Sequence, residues 1–212
     1  MASQCRHDRS DADDFVVIVD DDATIRTALT DLFTTVGLRS VAFASATELL
    51  EARLPAPPRC FVLDIRLPQL SGLDLQRQLA RDEAAPPVVF MTGHGDVPMT
   101  VKAMKAGAVD FLTKPFRAQD MLDAVAAAMA ADNERRRAVD AKADIRSRYD
   151  ALTPREKEIL PFVAAGLLNK QIAHELGLAE ITVKIHRGKM KRKLGAGSVA
   201  DLVRVVDQLG LA

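Results

Sequence analysis

Five short apolar runs, at residues 15–19, 40–43, 60–63, 88–91 and 108–112, alternate with stretches of helical spacing such as Ile25, Leu29, Leu32, Phe33 and Val36. Runs this short and this predominantly apolar read as buried strands, because a one-sided strand would alternate apolar with polar. Strands alternating with amphipathic helices argue for a parallel sheet covered by helices on both faces. Breakers at Gly37, Pro55, Pro57, Pro58, Pro86 and Pro87 punctuate the pattern.

The alternation ends in a helix that starts near Ala118, where Met121, Leu122, Val125 and Met129 form one apolar face. No Gly or Pro occurs between Phe116 and Thr153, so this helix can run on towards Arg148, about 45 Å if wholly helical. Apolar residues thin out there to Val139 and Ile145, and a solvated flexible linker is the alternative. A second unit opens at Thr153-Pro154-Arg155-Glu156, where Thr, Pro and Glu are spaced as a capping box with Pro at the first helical position. Further helices fit 169–176, 179–194 and 198–209, separated by Gly177 and by Gly195 to Gly197. The expected organisation is a disordered tail (1–13), an α/β domain (14–130), a linker (131–148) and an all-α domain of four helices (149–212).

The net charge of zero hides an asymmetry. Residues 1–130 hold 13 Lys+Arg against 18 Asp+Glu, whereas residues 149–212 hold 10 against 7. A cation suits the front and a polyanion the back. Cys5 and Cys60 are no disulfide framework, which fits a reduced, cytoplasmic setting. The N-terminus lacks the apolar core of a signal peptide, and no apolar stretch approaches the roughly 20 residues of a membrane span.

In an open parallel sheet, chemistry collects beyond the carboxyl ends of the strands. Here the first strand leads into Asp20-Asp21-Asp22, the third into Asp64, the fourth into Thr92 and the fifth into Lys114-Pro115. Carboxylates gathered this closely need a shared cation, and hard oxygen ligands suit Mg²⁺. With a metal beside it, a carboxylate can attack a phosphoryl group while ammonium and hydroxyl bind its oxygens. The segments Val-Asp20-Asp21-Asp22, Leu-Asp64-Ile-Arg-Leu-Pro68, Met-Thr92-Gly and Phe111-Leu-Thr-Lys114-Pro115-Phe116 resemble the receiver domain of two-component systems over residues 14–130.

The resemblance implies a doubly wound (βα)5, flavodoxin-like sheet. It makes Asp64 the phosphoacceptor and assigns Mg²⁺ to Asp20, Asp21, Asp64 and the backbone carbonyl of Arg66. Lys114 would contact the phosphoryl group, its bond to Pro115 would be cis, and Thr92 and Phe111 would be the switch pair. The surface formed by residues 97–106 and 108–112 would then change, as the family's usual dimer face. The donor would be a sensor histidine kinase, and such a chain is no enzyme beyond its own phosphorylation and dephosphorylation.

From Ile181 to Leu194 the sequence carries Lys184, Arg187, Lys189, Lys191, Arg192 and Lys193 with no acidic residue. The run follows a short helix and a glycine turn, the order of a helix-turn-helix whose second helix enters the major groove. Leu152-Thr-Pro-Arg-Glu156 and Ile181-Thr-Val-Lys-Ile-His-Arg187 resemble the LuxR-type output domain of FixJ/NarL response regulators. By that resemblance Thr182, Lys184, Ile185 and Arg187 face the groove or its rim, and Lys170, Lys189 and Lys191 lie nearer phosphates. Double-stranded DNA would be bound by a phosphorylation-induced homodimer, with RNA polymerase as a further candidate partner. Gly188 departs from the family, which often has a longer side chain there.

Two alternatives remain at this stage. Asp20-Asp21-Asp22-Ala23-Thr24 also fits Asp-x-Asp-x-Thr, the motif of haloacid-dehalogenase-like phosphatases, with Asp20 as nucleophile. The other is a DNA-binding protein whose receiver is not phosphorylated.

Overall fold

The computed structural model describes residues 15–56, 58–80, 85–93 and 97–211. The expected tail, with Cys5, lies outside them. Two compact units divide between Arg136 and Arg137.

In the first unit, β1 (Phe15–Val19), β2 (Arg39–Phe43), β3 (Cys60–Asp64), β4 (Val88–Thr92) and β5 (Asp110–Thr113) form one sheet of order β2-β1-β3-β4-β5. Every pairing is parallel. Central β1, β3 and β4 are buried throughout, whereas edge strands β2 and β5 are partly exposed, which explains why the central runs were the most uniformly apolar. Helices α1 (Ala23–Thr35), α2 (Ala46–Glu51), α3 (Gly72–Leu79), α4 (Val97–Lys105) and α5 (Ala118–Asp150) complete the alternation.

Side chains alternate across the sheet into two cores. Phe15, Val17, Val19, Leu63 and Phe90 pack with Leu49, Leu73, Leu75 and Ala103 of α2, α3 and α4. Val16, Ile18, Val62, Val89 and Met91 pack with Leu29 and Phe33 of α1 and Met121 and Val125 of α5. Truncating a wholly buried residue such as Ile18 to Ala is worth about 2–5 kcal/mol. A one-residue register slip would exchange the two cores, so the pattern also fixes where each strand ends.

Helix α5 is continuous across the stretch expected to be a linker. Its first half is held by a buried ion cluster near the start of β3. The wholly buried Asp132 carboxylate accepts from Arg59 Nε at 2.7 Å and from Arg136 Nε at 2.5 Å, with Arg135 Nη2 at 2.5 Å on its other oxygen. Arg136 also donates to the Pro58 carbonyl at 3.2 Å. Residues 132–136, assigned to the linker from sequence, therefore dock on the first unit.

The second unit holds α6 (Pro154–Ala164), α7 (Asn169–Leu176), α8 (Glu180–Leu194) and α9 (Val199–Gln208). The capping box at Thr153 and Glu156 forms as its spacing requires. Gly177 and Gly195 end α7 and α8 in the left-handed region, with φ of 62° and 69°, which favours glycine. Ile159, Leu160, Val163, Ile172, Val183, Met190, Leu194, Leu202 and Val206 form its core.

Candidate functional site

The sheet order reverses between β1 and β3, and a crevice opens beyond their carboxyl ends. Asp20 follows β1 directly and Asp64 is the last residue of β3, so the sheet itself sets them side by side. Lys114 follows β5, and its backbone N–H donates to the Thr92 carbonyl at 2.7 Å, which extends the β4–β5 pairing into the crevice. The Lys114–Pro115 bond is cis, as the resemblance implied.

The Lys114 ammonium spans two carboxylates, with Nζ 2.5 Å from Asp20 Oδ2 and 2.6 Å from Asp64 Oδ2. Asp20 and Asp64 are buried and Asp21 is exposed, yet each offers an oxygen within 4.8 Å of the others. Burial pushes the Asp20 carboxyl above its usual range, and the hydrogen bond from Lys114 only partly offsets this. Burial also opposes the charge on Lys114, but hydrogen bonds to Asp20 and Asp64 outweigh it and raise its pKa. One ammonium thus holds apart two carboxylates that would otherwise repel in a poorly solvated space.

Donor chemistry fits a hard divalent cation, because all three side chains present oxygen and exposed Asp21 leaves room for water. Asp64 Oδ1 accepts the backbone N–H of Arg66 at 2.9 Å, which fixes the turn carrying the Arg66 carbonyl. Thr92 is wholly buried at the end of β4, and Phe111 is half-buried on β5 against the first core. Asp22 is spent on structure, since its carboxylate caps α1 by accepting the Thr24 N–H at 2.7 Å.

Two supports carried no recognisable sequence signal. Arg26 Nη1 donates to the carbonyls of Asp20 and Asp21, at 2.7 and 2.9 Å, and braces the acidic turn. Gly72 lies so close under β3 that a Cβ there would stand 2.2 Å from the Asp64 carbonyl oxygen. Any side chain at 72 would displace the backbone of Asp64. Ser71 caps α3 beside it, its side chain accepting the Asp74 N–H at 3.2 Å.

In the second unit, α8 buries Val183, Met190 and Leu194 and turns the opposite face outward. Ile181, Lys184, Ile185, Gly188, Lys189 and Arg192 are exposed on that face. Not all of the basic run is available there. Arg187 donates to the Leu167 carbonyl at 3.3 Å and Asn169 Oδ1 at 2.7 Å, tying α8 to the start of α7. Lys191 donates to the Gly197 carbonyl at 2.8 Å, and Lys193 meets the buried Glu156 carboxylate at 2.7 Å. Burial works against the Glu156 carboxylate, yet the hydrogen bond from Lys193 and the capping bonds leave its pKa below the ordinary 4.5. Thr182 is half-buried, and Lys170 is exposed on the rim of a cleft shared with Asn169, Lys184 and Arg187.

A lysine-bridged carboxylate pocket at a sheet switch point, on the same chain as a basic helix-turn-helix, defines a phosphoryl-responsive signalling protein with a DNA-binding output. Residues 16–126 match the response regulator receiver domain family, and residues 150–206 match the luxR family of bacterial regulatory proteins. The chain belongs to the FixJ-like response regulators of two-component systems. It is 52% identical over 206 residues to nodulation protein W of Bradyrhizobium diazoefficiens, covering 97% of this chain and 91% of that protein. It is 39% identical over 197 residues to the transcriptional regulatory protein FixJ of Azorhizobium caulinodans, covering 93% of each. Among solved structures, response regulator StyR superposes with a TM-score of 0.77 at 43% identity, covering 92% of this chain and 98% of that one.

Family membership implies a sensor kinase partner and DNA binding. It also removes the dehalogenase-like reading, in agreement with Asp22 serving as a helix cap. Among the described residues, no helix is long and apolar enough to cross a membrane.

Proposed function

We propose that Asp64 is the phosphoacceptor and that its phosphorylation drives homodimerisation and sequence-specific DNA binding. The observation that carries this reading is the Lys114 ammonium bridging Asp20 and Asp64, with Asp21 within reach of both. A carboxylate oxygen of Asp64 attacks phosphorus of a kinase phosphohistidine, the P–N bond breaks, and the departing imidazole takes up a proton. An acyl phosphate forms on Asp64. Asp20, Asp21, Asp64 and the Arg66 carbonyl would hold Mg²⁺, which when bound neutralises charge on the transferring group.

Lys114, kept protonated by its two carboxylates, exchanges its contact with Asp64 for a phosphoryl oxygen. The Thr92 hydroxyl bonds another of the new oxygens, Phe111 turns inward, and the face formed by α4 and β5 changes. On the output unit, Lys170, Lys184 and Lys189 contact phosphates, Ile185 and Thr182 approach base edges, and Arg187 and Lys191 hold the reading helix in place. A single short helix reads too few base pairs for a specific site, so two half-sites about one helical turn apart are read by a dimer.

Intact mass spectrometry after acetyl phosphate treatment with Mg²⁺ tests the acceptor: wild type gains one phosphoryl group and Asp64→Asn none. Labelling that survives in Asp64→Asn, or treated wild type binding a selected DNA site no more tightly than that variant, overturns the proposal.

A further inference from the structure

Helix α8 carries a glycine where its own unit needs none. Gly188 has no left-handed φ, and a Cβ built on it would meet nothing within 4 Å. Neither backbone conformation nor packing calls for glycine, although glycine weakens a helix relative to alanine. The reason for its bareness lies outside the chain.

Its neighbours show what kind of surface it opens. By helical periodicity Ile181, Lys184, Ile185, Gly188 and Arg192 share one arc, and Ile181 and Ile185 are 62% and 49% exposed. Large apolar side chains at the centre of a basic face gain nothing from water or phosphate. In the major groove the apolar group on display is the thymine C5-methyl. From Ile181 to Leu194 there are six cations and no acid, so the charge favours DNA over a protein surface of like composition.

We propose that Ile181, Ile185 and Gly188 form the specificity element of α8. The two isoleucines seat against thymine methyls, and the missing side chain at 188 lets the helix approach the base edges closely. The inference rests on the DNA-binding role given above and deepens it, naming thymine-bearing half-sites as the ligand. Lys184, at the margin of the arc, and Arg192, at its C-terminal end, supply attraction that is indifferent to sequence.

The test selects sites from random duplex DNA with full-length, acetyl-phosphate-treated protein, then replaces individual thymines by deoxyuridine, which pairs alike but lacks the methyl. At one or two positions per half-site the replacement weakens wild-type binding about fourfold per methyl. The same replacement is neutral against Ile181→Ala or Ile185→Ala, whichever faced that methyl. Gly188→Ala raises the melting temperature of the output unit, yet weakens the selected site about fivefold or more while nonspecific DNA is bound as before. Sites that tolerate deoxyuridine throughout, or full affinity in Gly188→Ala, overturn the inference while Lys184-dependent DNA binding stands. A wild-type protein that binds no DNA overturns the functional reading and this inference with it.

Discussion

The two units handle charge in opposite ways. The receiver draws carboxylates of like sign into a poorly solvated crevice, where Asp20 and Asp64 are tolerated because one ammonium stands between them. The output unit turns cations of like sign outward and, among the described residues, buries one opposite charge, Glu156, behind them. In the receiver's crevice, unlike its structural Asp132 cluster, the buried charges are the ones proposed to react, and a bound metal or phosphoryl group would change their balance. In the output unit the buried charge serves stability, and the reactive ones wait in solvent for a polyanion. A switch needs the first arrangement and a binding surface the second.

The largest expected effect removes the cation that makes the first arrangement possible. Lys114→Met leaves Asp20 and Asp64 facing each other, and in EDTA the receiver should lose about 3 kcal/mol, the usual consequence of stripping one partner from a buried pair. Mg²⁺ should restore much of this, because a cation bound only by the folded state stabilises it. A variant that melts like wild type in EDTA would break the contrast, showing that solvent already reaches the crevice.

Glu156 probes the other side. Its carboxylate takes both the Thr153 N–H at 2.8 Å and the Lys193 ammonium at 2.7 Å. Glu156→Ala should cost the output unit about 2 kcal/mol, from a lost cap and a lost ion pair whose lysine remains partly hydrated. Because the folded carboxyl titrates below its ordinary 4.5, its contribution is present above that pH and disappears as pH falls through the folded value. Denaturant titrations of wild type and Glu156→Gln should therefore converge on acidification and separate towards neutrality. Parallel curves across that range would remove Glu156 as the stabilising charge.

These supports show what kinds of information a sequence carries. Strand–helix alternation, the Thr153–Glu156 box and the residues after each strand were legible because each depends on spacing along the chain or on strand termini that any parallel sheet brings together. The cluster around Asp132 was not, since its Arg59 partner lies far away in sequence and neither residue stands in a motif. Gly72 stands in no motif, and only the fold places it beneath the Asp64 carbonyl. Counting the basic run pointed towards a polyanion but overstated the reading surface, because a cation bonded within its own unit looks the same in sequence as a solvated one. Arg187, Lys191 and Lys193 are of the first kind.

That distinction gives the smallest and most discriminating measurement. Lys184 and Lys193 lie on one helix, nine positions apart by number; Lys184 is exposed with no hydrogen bond or ion pair among the described residues, whereas Lys193 is held by Glu156 and the Ala151 carbonyl. If exposed cations alone neutralise phosphates, Lys184→Ala should lower the slope of log affinity against log salt by about 0.9 per protomer, since one condensed counterion fewer is released. Lys193→Ala should leave that slope alone and lower the melting temperature of the output unit instead. Equal slope changes for the two would mean that Lys193 leaves Glu156 when DNA arrives. The capping carboxylate would then be uncovered on binding, and the output unit would share the receiver's device of a buried charge that changes partners.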